Sequence, residues 1–487
     1  MSDQVNEQEQ DARDAQDGGD GGQLAGSMSY REALAWIYSF SDTERTGQFT
    51  RDREDNLARE RGLLAQLGNP QRDYGITHVA GTKGKGSTST MLASILRAAG
   101  IHTGLYTQPD LHTFRERMRI DGQVIGEDEI ARLVPEVREA VERAGTPLGS
   151  YITYEVATAL AFLAFREARV EQAVIEVGLG GRLDATNVVE PLVTVITSIS
   201  YDHMQVLGNT LGEIAGEKAG IVKPGVPLVT SAQSPEALAV IERVCHERGS
   251  PLIRVGPEGA ADCAYHYTAG EADGERQTFD VVTSRGAYRG VELGLLGEHQ
   301  IENATAAIAV AEQLRERGVA IDEEAVRRGL RDARWQARVQ VVRREPWVVV
   351  DGAHNADSFA KLFAALRRHF AYERLLLVIG VMADKDLAGI AAEVARAQPE
   401  HIYTTAVDYP RAAVPESLAL VMHQDVPGVA VEAITRSGAA LDAALHAAGP
   451  RDLVVVAGSL YLAGEALRWL DAHVPEARGI EIAGVDH

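Results

Sequence analysis

Cysteine is nearly missing from this sequence: only Cys245 and Cys263 occur among 487 residues. Two thiols are too few for the disulfide framework of a secreted domain or for a structural zinc site. We therefore expect a protein of a reducing compartment, the cytoplasm, in which both cysteines are ordinary packing or surface residues.

Long apolar runs are also missing. No uncharged apolar stretch reaches the roughly 20 residues that span a bilayer, and we find no apolar segment of the kind that a signal peptide carries. This predicts that a membrane is not a partner.

Basic residues are in the minority, with 48 Lys and Arg against 70 Asp and Glu and a net charge of −22. Such a chain repels the phosphate backbone, which argues against nucleic acid as a general partner. A small anionic substrate remains compatible with this charge, because a few local basic groups can hold it.

Large apolar residues are almost absent from residues 1–27, which are rich in Asp, Glu, Gln and Gly. Such a segment cannot bury enough surface to offset its ordering entropy, so we predict a disordered acidic tail. The whole sequence is 45% apolar, and its length suits two or three domains, of which we predict two. We place them at residues 28–334 and 335–487, because a new series of strands and helices starts near 334–340.

Short apolar strands alternate with helical patterns in both predicted domains. Examples are the strands at 193–197 and 375–379 and the helix at 358–369. This alternation predicts an α/β fold whose parallel sheets carry helices on both faces and bind ligands at the strands' carboxyl ends. Residues 255–295 are more polar and predict an antiparallel excursion.

The most informative motif is Val-Ala-Gly-Thr-Lys-Gly-Lys-Gly-Ser-Thr at 79–88. An apolar strand at 76–80 precedes it and a helix at 88–99 follows, so its glycines and Lys85 are placed to cradle a phosphate. The spacing is shorter than in a standard P-loop, since only Thr82 and Lys83 separate Gly81 from the Gly-Lys pair. A flexible loop without a ligand is the alternative.

Two more glycine-rich or polar segments follow apolar strands. Glu176 precedes Gly-Leu-Gly-Gly-Arg-Leu-Asp, where its carboxylate either binds a metal or is a solvated turn residue. Arg182 either steadies a phosphate or forms a structural ion pair. His203 follows the strand at 193–197 and is either a metal ligand or a structural histidine.

Lys218 and the segment Asp-Gly-Ala-His-Asn at 351–355 complete the candidates. On its own, Lys218 reads as a solvated helix lysine. Asp351 suits ribose hydroxyls or a cation, and His354 suits a transferred phosphate. The alternative for 351–355 is a turn held by an Asx-type hydrogen bond.

Together these motifs closely resemble the folylpolyglutamate synthase/dihydrofolate synthase family of the Mur ligase superfamily. The resemblance extends from Met28 to the C-terminal helix. The motifs that carry it are Gly-Thr-Lys-Gly-Lys-Gly-Ser at 81–87, Glu-Arg-Met-Arg-Ile at 116–120, Glu-Val-Gly-Leu-Gly-Gly-Arg-Leu-Asp-Ala-Thr-Asn at 176–187, Asp-His at 202–203, Gly-Glu-Lys-Ala-Gly-Ile at 216–221, His-Gln-Ile-Glu-Asn-Ala at 299–304 and Asp-Gly-Ala-His-Asn at 351–355.

The resemblance implies a P-loop-containing, ATP-binding Mur-ligase central domain with a parallel sheet, followed by a Rossmann-like C-terminal glutamate ligase domain. It implies an ATP-dependent amide ligase that adds L-glutamate to a folate through an acyl phosphate, releasing ADP and phosphate. Dihydropteroate is a second acceptor to consider. The implied partners are these small molecules, and the implied state is a monomer.

The resemblance also assigns roles to residues. The implied ATP site comprises Gly81, Thr82, Gly84, Lys85, Gly86, Ser87, Thr88, Asn303, Arg338, Asp351 and His354. Two Mg²⁺ ions are implied, with Ser87, Gln108, Glu176 and His203 as ligands, and a monovalent cation is left open. The implied folate-binding residues are Ile152, Thr153, Tyr154, Glu155, Leu183, Asp184 and Ala185. The implied catalytic residues are Lys85, His203, Arg338 and Lys218, the last as a carbamate.

Three departures from the family pattern concern the phosphate and metal region. Gln108 stands where the family has a Mg²⁺-binding Ser, Lys83 replaces the loop's usual Asn, and the segment 335–338 lacks the usual Pro and Gly but keeps Arg338. They leave two alternatives open: another Mur-type ligase, or a nucleotide-binding paralogue with reduced catalysis.

Overall fold

The computed structural model describes residues 28–42, 56–482 and 484. Their elements form two α/β domains, each built on its own sheet, as the alternating pattern predicts. The predicted tail at 1–27 lies outside the described residues and stays a prediction. In the described ranges no helix is both long and apolar enough to cross a bilayer.

The first sheet has eleven strands within the described chain, in the order β11-β10-β9-β8-β7-β6-β1-β5-β2-β3-β4. The strands are β1 (Gly75–Ala80), β2 (Thr103–Tyr106), β3 (Met118–Ile120), β4 (Gln123–Val124), β5 (Gln172–Glu176), β6 (Val193–Ile196), β7 (Leu228–Thr230), β8 (Leu252–Pro257), β9 (Tyr265–Ala272), β10 (Gln277–Thr283) and β11 (Gly286–Leu293).

Strand β1 lies inside the parallel part of the sheet and pairs with β5 on one side and β6 on the other. Its partners across the ladders are Glu176 opposite Val79 and Ile196 opposite Ala80. The carboxyl ends of the three strands therefore meet at one edge, where the segments that follow them come together. Strands β9, β10 and β11 pair antiparallel, in the region predicted from the polar alternation of 255–295.

Helices cover both faces of this sheet. The helices are α1 (Tyr30–Ile37), α2 (Asn56–Gln66), α3 (Lys85–Ala98), α4 (Glu127–Arg143), α5 (Thr153–Glu167), α6 (Met204–Leu207), α7 (Leu211–Ala219), α8 (Pro235–Arg248), α9 (Glu298–Glu316) and α10 (Glu323–Asp332). One buried apolar cluster joins α3, α9 and α10 to the sheet, and another joins α1, α2, α4 and α5 to its opposite face. The prediction that the helix after the phosphate loop begins near Thr88 was wrong by three residues. Gly84, in the left-handed region with φ 91°, is the N-cap, so the helix begins at Lys85.

The second sheet has the order β12-β13-β17-β14-β15-β16, and all its pairs are parallel except β12 with β13. Its strands are β12 (Gln340–Arg344), β13 (Trp347–Val350), β14 (Leu375–Ile379), β15 (His401–Ala406), β16 (Ala430–Arg436) and β17 (Leu453–Ala457). Its helices are α11 (Ala356–His369), α12 (Leu387–Ala397), α13 (Pro415–Asp425), α14 (Ser437–Ala447) and α15 (Leu460–His473). Separate apolar clusters fill its two faces. The segment between α10 and β12 links the sheets, and the exact boundary at 334/335 stays a prediction.

Glu60 on α2 is a fully buried acid whose two carboxyl oxygens have no hydrogen-bond partner in the described parts of the chain. Burial raises the pKa of Glu60 well above its ordinary value, and the nearby carboxylates of Glu155 and Asp184 raise it further, whereas Arg59 lowers it. The folded protein therefore holds Glu60 in its neutral form.

The first prediction concerns stability. The unfolded chain ionises Glu60 above about pH 4.5 while the folded chain does not, so this residue destabilises the fold increasingly as pH rises toward its folded pKa. Glu60→Gln removes that ionisation. As pH rises, the free energy of unfolding of wild type should therefore fall relative to that of the variant, by up to about 1.4 kcal/mol per pH unit. Denaturant unfolding at pH 5, 6, 7 and 8 measures it, with the exposed Glu324→Gln on α10 as control. A difference that stays constant from pH 5 to 8 would contradict a neutral Glu60.

Candidate active site

The phosphate loop leaves the end of β1 and enters α3. Gly81 and Gly84 have φ angles of 145° and 91°, a conformation that residues with a side chain rarely adopt. The amide of Thr82 donates to the Ser198 carbonyl at 2.8 Å, which ties the loop to the segment after β6. The free amides at the start of α3 and the helix dipole make this loop suited to an anion.

The loop is packed closely on two sides. A Cβ at Gly84 would lie 2.3 Å from Asn303 Oδ1, and a Cβ at Gly86 would lie 3.2 Å from the Trp335 indole nitrogen. Asn303 on α9 is held in place, since its amide donates to Gln300 Oε1 at 3.0 Å. The glycines therefore let the loop approach both α9 and the interdomain segment.

Glu176, the last residue of β5, faces the loop. Its side chain is only 4% exposed, and its Oε1 lies 3.8 Å from Lys85 Nζ. Its Oε2 is buried and has no hydrogen-bond partner among the described residues. Burial raises the pKa of Glu176 to about 7, although Lys85 and Arg338 lower it. The solvated-turn alternative is therefore wrong, and an orphaned carboxylate oxygen of this kind fits a cation ligand.

Arg338, on the interdomain segment, lines the same cavity as Glu176 and lies near enough for its charge to lower the pKa of that carboxyl. It is flanked by Ala337 and Val339, which both lie in the left-handed region with φ of 55° and 45°. Asp351 holds the segment, because its Oδ2 accepts from the Val339 amide at 2.7 Å and its Oδ1 accepts from the Ala353 amide at 2.7 Å. The two carboxylate oxygens thus fix a strained backbone and the Asx-type turn that the sequence offered as an alternative.

Lys218 on α7 is buried, with 3% exposure, so the interpretation as a solvated helix lysine is wrong. Its Nζ donates to the Gly81 carbonyl of the phosphate loop at 2.9 Å. Burial, with Lys85 nearby, lowers the pKa of Lys218 to about 7. A large fraction of the side chain is therefore an uncharged amine at neutral pH, which is the nucleophilic form.

His203 is the N-cap of α6 and has a φ of 49°. Its side chain is about half exposed. Partial desolvation of the ring lowers its pKa to about 4, with Lys385, Lys85 and Lys83 adding to the effect and Asp202 opposing it. The ring is thus neutral and keeps a lone pair for a metal. The described part of the chain contains no group of three or more His, Cys, Asp and Glu placed to hold a metal. A Mg²⁺ ion here would therefore take most ligands from phosphate and water, as Mg²⁺ commonly does.

Gln108 belongs to a hydrogen-bond network with Tyr154 and Asp184. The Tyr154 hydroxyl donates to Asp184 Oδ1 at 2.9 Å, so its oxygen accepts from Gln108 Nε2 at 3.2 Å and from the Gly178 amide at 3.0 Å. This arrangement assigns the nitrogen of the Gln108 amide to Tyr154. The network joins a predicted metal ligand to two predicted folate-binding residues.

The other predicted folate-binding residues lie around the start of α5 and the turn 183–185. Glu155 is buried and accepts from the Ile152 amide and from Arg59, both at 3.0 Å. Thr153 is also buried, and its hydroxyl donates to the Phe40 carbonyl, just after α1, at 3.2 Å. Leu183 is partly exposed, and Ala185 begins a short 3₁₀ helix at Ala185–Val188. The contacts of Thr153 and Glu155 hold the segment in place.

The remaining predicted site residues lie either in the phosphate loop and the first turn of α3 or on the segments around them. Ser87 and Thr88 are buried in the first turn of α3. Arg182 pairs with Glu217 at 2.8 Å while its side chain is half exposed, which favours the ion-pair alternative. Asp202, which binds Lys83 Nζ at 2.8 Å, and Trp335, which lies beside Gly86, belong to motifs of the sequence but were given no role in the site. Their partners could not be found from the motifs, because each partner lies far away along the chain.

Two family models match this chain, one for the Mur ligase middle domain at residues 79–311 and one for the Mur ligase glutamate ligase domain at residues 337–460. The dihydrofolate synthase/folylpolyglutamate synthase of Bacillus subtilis is 37% identical over 393 residues, which cover 80% of this chain and 88% of that protein. The chain belongs to the folylpolyglutamate synthase/dihydrofolate synthase family.

Solved structures of the folylpolyglutamate synthase/dihydrofolate synthase family have the same architecture. The Mycobacterium tuberculosis folylpolyglutamate synthase complexed with ADP aligns with a TM-score of 0.81 and 31% identity, covering 93% of this chain and 100% of that one. The Escherichia coli FolC in complex with DHPP and ADP aligns with a TM-score of 0.78 and 30% identity, covering 92% and 99%. Both neighbours therefore confirm the predicted fold class over nearly the whole chain.

The second prediction tests the phosphate loop through its glycines. Gly84→Ala and Gly100→Ala both place a side chain at a positive φ, at opposite ends of α3, and each should cost about 1 kcal/mol of stability. Only a Cβ at Gly84 collides, because nothing lies within 4 Å of one at Gly100. Calorimetric titration with ADP should show at least tenfold weaker binding for Gly84→Ala and unchanged binding for Gly100→Ala. Equal ADP affinity in both variants would show that the phosphate loop does not bind the nucleotide.

Proposed function

We propose that this chain is an ATP-dependent ligase that joins L-glutamate to a folate. The observation that carries the proposal is the convergence of three charged side chains from two domains: Lys85 of the phosphate loop, Glu176 of β5 and Arg338 of the interdomain segment. Family membership over most of the chain supports it.

In the proposed reaction, a carboxylate of the folate attacks the γ-phosphorus of ATP, forming an acyl phosphate and releasing ADP. The amine of L-glutamate then attacks the acyl carbon, an amide bond forms, and phosphate leaves with the former carboxylate oxygen. The protein need supply no nucleophile. Its task is to hold the anionic reactants and to neutralise charge as it develops, which Lys85 and Arg338 are positioned to do.

We propose that the residues assigned to the ATP site by the family resemblance bind the nucleotide together with two Mg²⁺ ions. Ser87 and Gln108 would serve one ion beside Glu176, and His203 would serve the other. When bound, Mg²⁺ supplies Lewis-acid polarisation of phosphate oxygens. The orphaned Oε2 of Glu176 and the neutral ring of His203 fit this requirement. We also propose a monovalent cation, to which we assign no ligands.

Lys218 is proposed to carry a carbamate. Its uncharged amine would attack carbon dioxide, forming a C–N bond and releasing one proton, and the resulting anion would stand at the phosphate loop. Burial, the pKa of about 7 and the contact with the Gly81 carbonyl support the reaction. One N–H of the modified nitrogen would remain to donate to that carbonyl.

The acceptor is proposed to be tetrahydrofolate and its glutamylated forms, with dihydropteroate as a second acceptor. Residues 152–155 and 183–185 would contact it, and the Tyr154–Asp184 hydrogen bond would link that contact to Gln108. The protein is proposed to act in the cytoplasm, which the two unpaired cysteines at positions 245 and 263 support, and to be a monomer.

The third prediction tests the ligase reaction. Lys85→Ala should lower glutamate-dependent ADP release at least a hundredfold, because one charge-stabilising group of the transition state is removed. Purified protein is incubated with Mg-ATP, labelled glutamate and either tetrahydrofolate or dihydropteroate, and labelled product is measured. Arg97→Ala on the far end of α3 is the matched control. Normal turnover in Lys85→Ala would contradict the assignment, and tight ATP binding without product from any acceptor would favour a nucleotide-binding paralogue.

The fourth prediction concerns Lys218. Lys218→Ala should lose most activity and regain part of it with a short carboxylic acid such as acetate, which replaces the missing anion. Lys223→Ala is the control, because Lys223 also has a lowered pKa but binds Asn187 away from the loop. Full activity of Lys218→Ala without an added acid would exclude the carbamate.

A further inference from the structure

The side chain of Lys83 joins the two domains. It lies in the phosphate loop, where its Nζ donates to Asp202 Oδ2 in its own domain and to His354 Nε2 in the second domain, both at 2.8 Å. Its side chain is only 19% exposed, so both hydrogen bonds are shielded from water. Its backbone carbonyl also accepts from the Ser198 hydroxyl at 3.1 Å, which fixes the base of the side chain.

The direction of the hydrogen bond to His354 follows from the other ring nitrogen. His354 Nδ1 lies 2.8 Å from the Gly352 carbonyl, which can only accept, so Nδ1 carries the ring proton. Burial and the charge of Lys83 lower the pKa of His354 to about 3, which keeps the ring neutral. Nε2 is therefore an acceptor, and Lys83 supplies the proton of the interdomain hydrogen bond.

The segment that His354 belongs to holds Arg338 from both sides. Gly352 donates its amide to the Ala337 carbonyl at 2.9 Å, and Asp351 accepts from the Val339 amide at 2.7 Å. These bonds fix the residues immediately before and after Arg338. A continuous path of hydrogen bonds thus leads from the phosphate loop through His354 and Gly352 to the arginine.

We propose that Lys83 is a positioning residue: its hydrogen bond to His354 locks segment 351–355 onto the phosphate loop and thereby places Arg338 beside Glu176. The function of Lys83 is then mechanical, since it couples the loop that holds the nucleotide to the domain that completes the site. The proposal uses the nucleotide site of the proposed function, but its first test requires no nucleotide and no turnover.

The competing role for Lys83 is that of a simple phosphate ligand, which its place in the loop also allows. The two roles differ in what His354 does. A phosphate ligand acts on bound nucleotide whether or not His354 is present, whereas an interdomain contact requires both partners equally. They also differ in the free protein, where only the interdomain contact has an effect.

The first experiment is hydrogen exchange on the nucleotide-free protein. Lys83→Met keeps the length of the side chain and removes its donor, and Lys85→Met is the matched control, with the same charge loss two residues away. The amides of Val339, Gly352 and Ala353 should exchange at least tenfold faster in Lys83→Met and at the wild-type rate in Lys85→Met. Unchanged exchange in Lys83→Met, or equal acceleration in both variants, would overturn the proposal.

The second experiment is a double-mutant cycle between Lys83→Met and His354→Leu. Each single variant should lower kcat about tenfold, Lys83→Met should keep an ADP dissociation constant within twofold of wild type, and the double variant should be no slower than either single variant. His354→Gln, which can offer an acceptor near the position of Nε2, should recover part of the rate. Additive losses, or a tenfold weaker ADP affinity in Lys83→Met alone, would make Lys83 a phosphate ligand instead.

Discussion

The burial of the Glu176 carboxylate is the constraint on which the rest of the site depends. An acid at the end of a central strand, with one oxygen near Lys85 and the other without a partner, is costly to keep in a folded protein. The cost is offset only when positive charge approaches from several directions. Lys85 comes from the phosphate loop, Arg338 comes from the second domain, and a cation bound with nucleotide would complete the set.

Arg338 is held near Glu176 by a strained backbone in the interdomain segment. Ala337 and Val339 adopt left-handed conformations on either side of Arg338, and the carboxylate of Asp351 holds that geometry through backbone amides. Each such residue costs on the order of 1 kcal/mol. The arginine is thus presented by a rigid backbone, and its position depends on how the second domain is attached to the first.

The sequence predicts those parts of the site that depend on local patterns. The apolar strands, the helix after the phosphate loop and the positions of Glu176 and Asp351 at strand ends follow from periodicity and glycine placement. The burial of Lys218 cannot be predicted in this way, because the sequence of a helix of mixed polarity does not show which of its faces a neighbouring loop covers. The contact of Lys83 with His354 spans 271 residues and depends on the packing of two domains, which only the folded chain determines.

The buried Oε2 of Glu176, which has no hydrogen-bond partner among the described residues, is kept for a cation that arrives with nucleotide, and the affinity for a divalent metal measures this role. Paramagnetic resonance titration with Mn²⁺ in place of Mg²⁺, at saturating ADP, measures the affinity of wild type and Glu176→Gln. Mn²⁺ should bind at least tenfold more weakly to the variant, while metal-free ADP should bind as well or better because a negative charge beside the phosphates is gone. Equal Mn²⁺ affinity in the two proteins would contradict it.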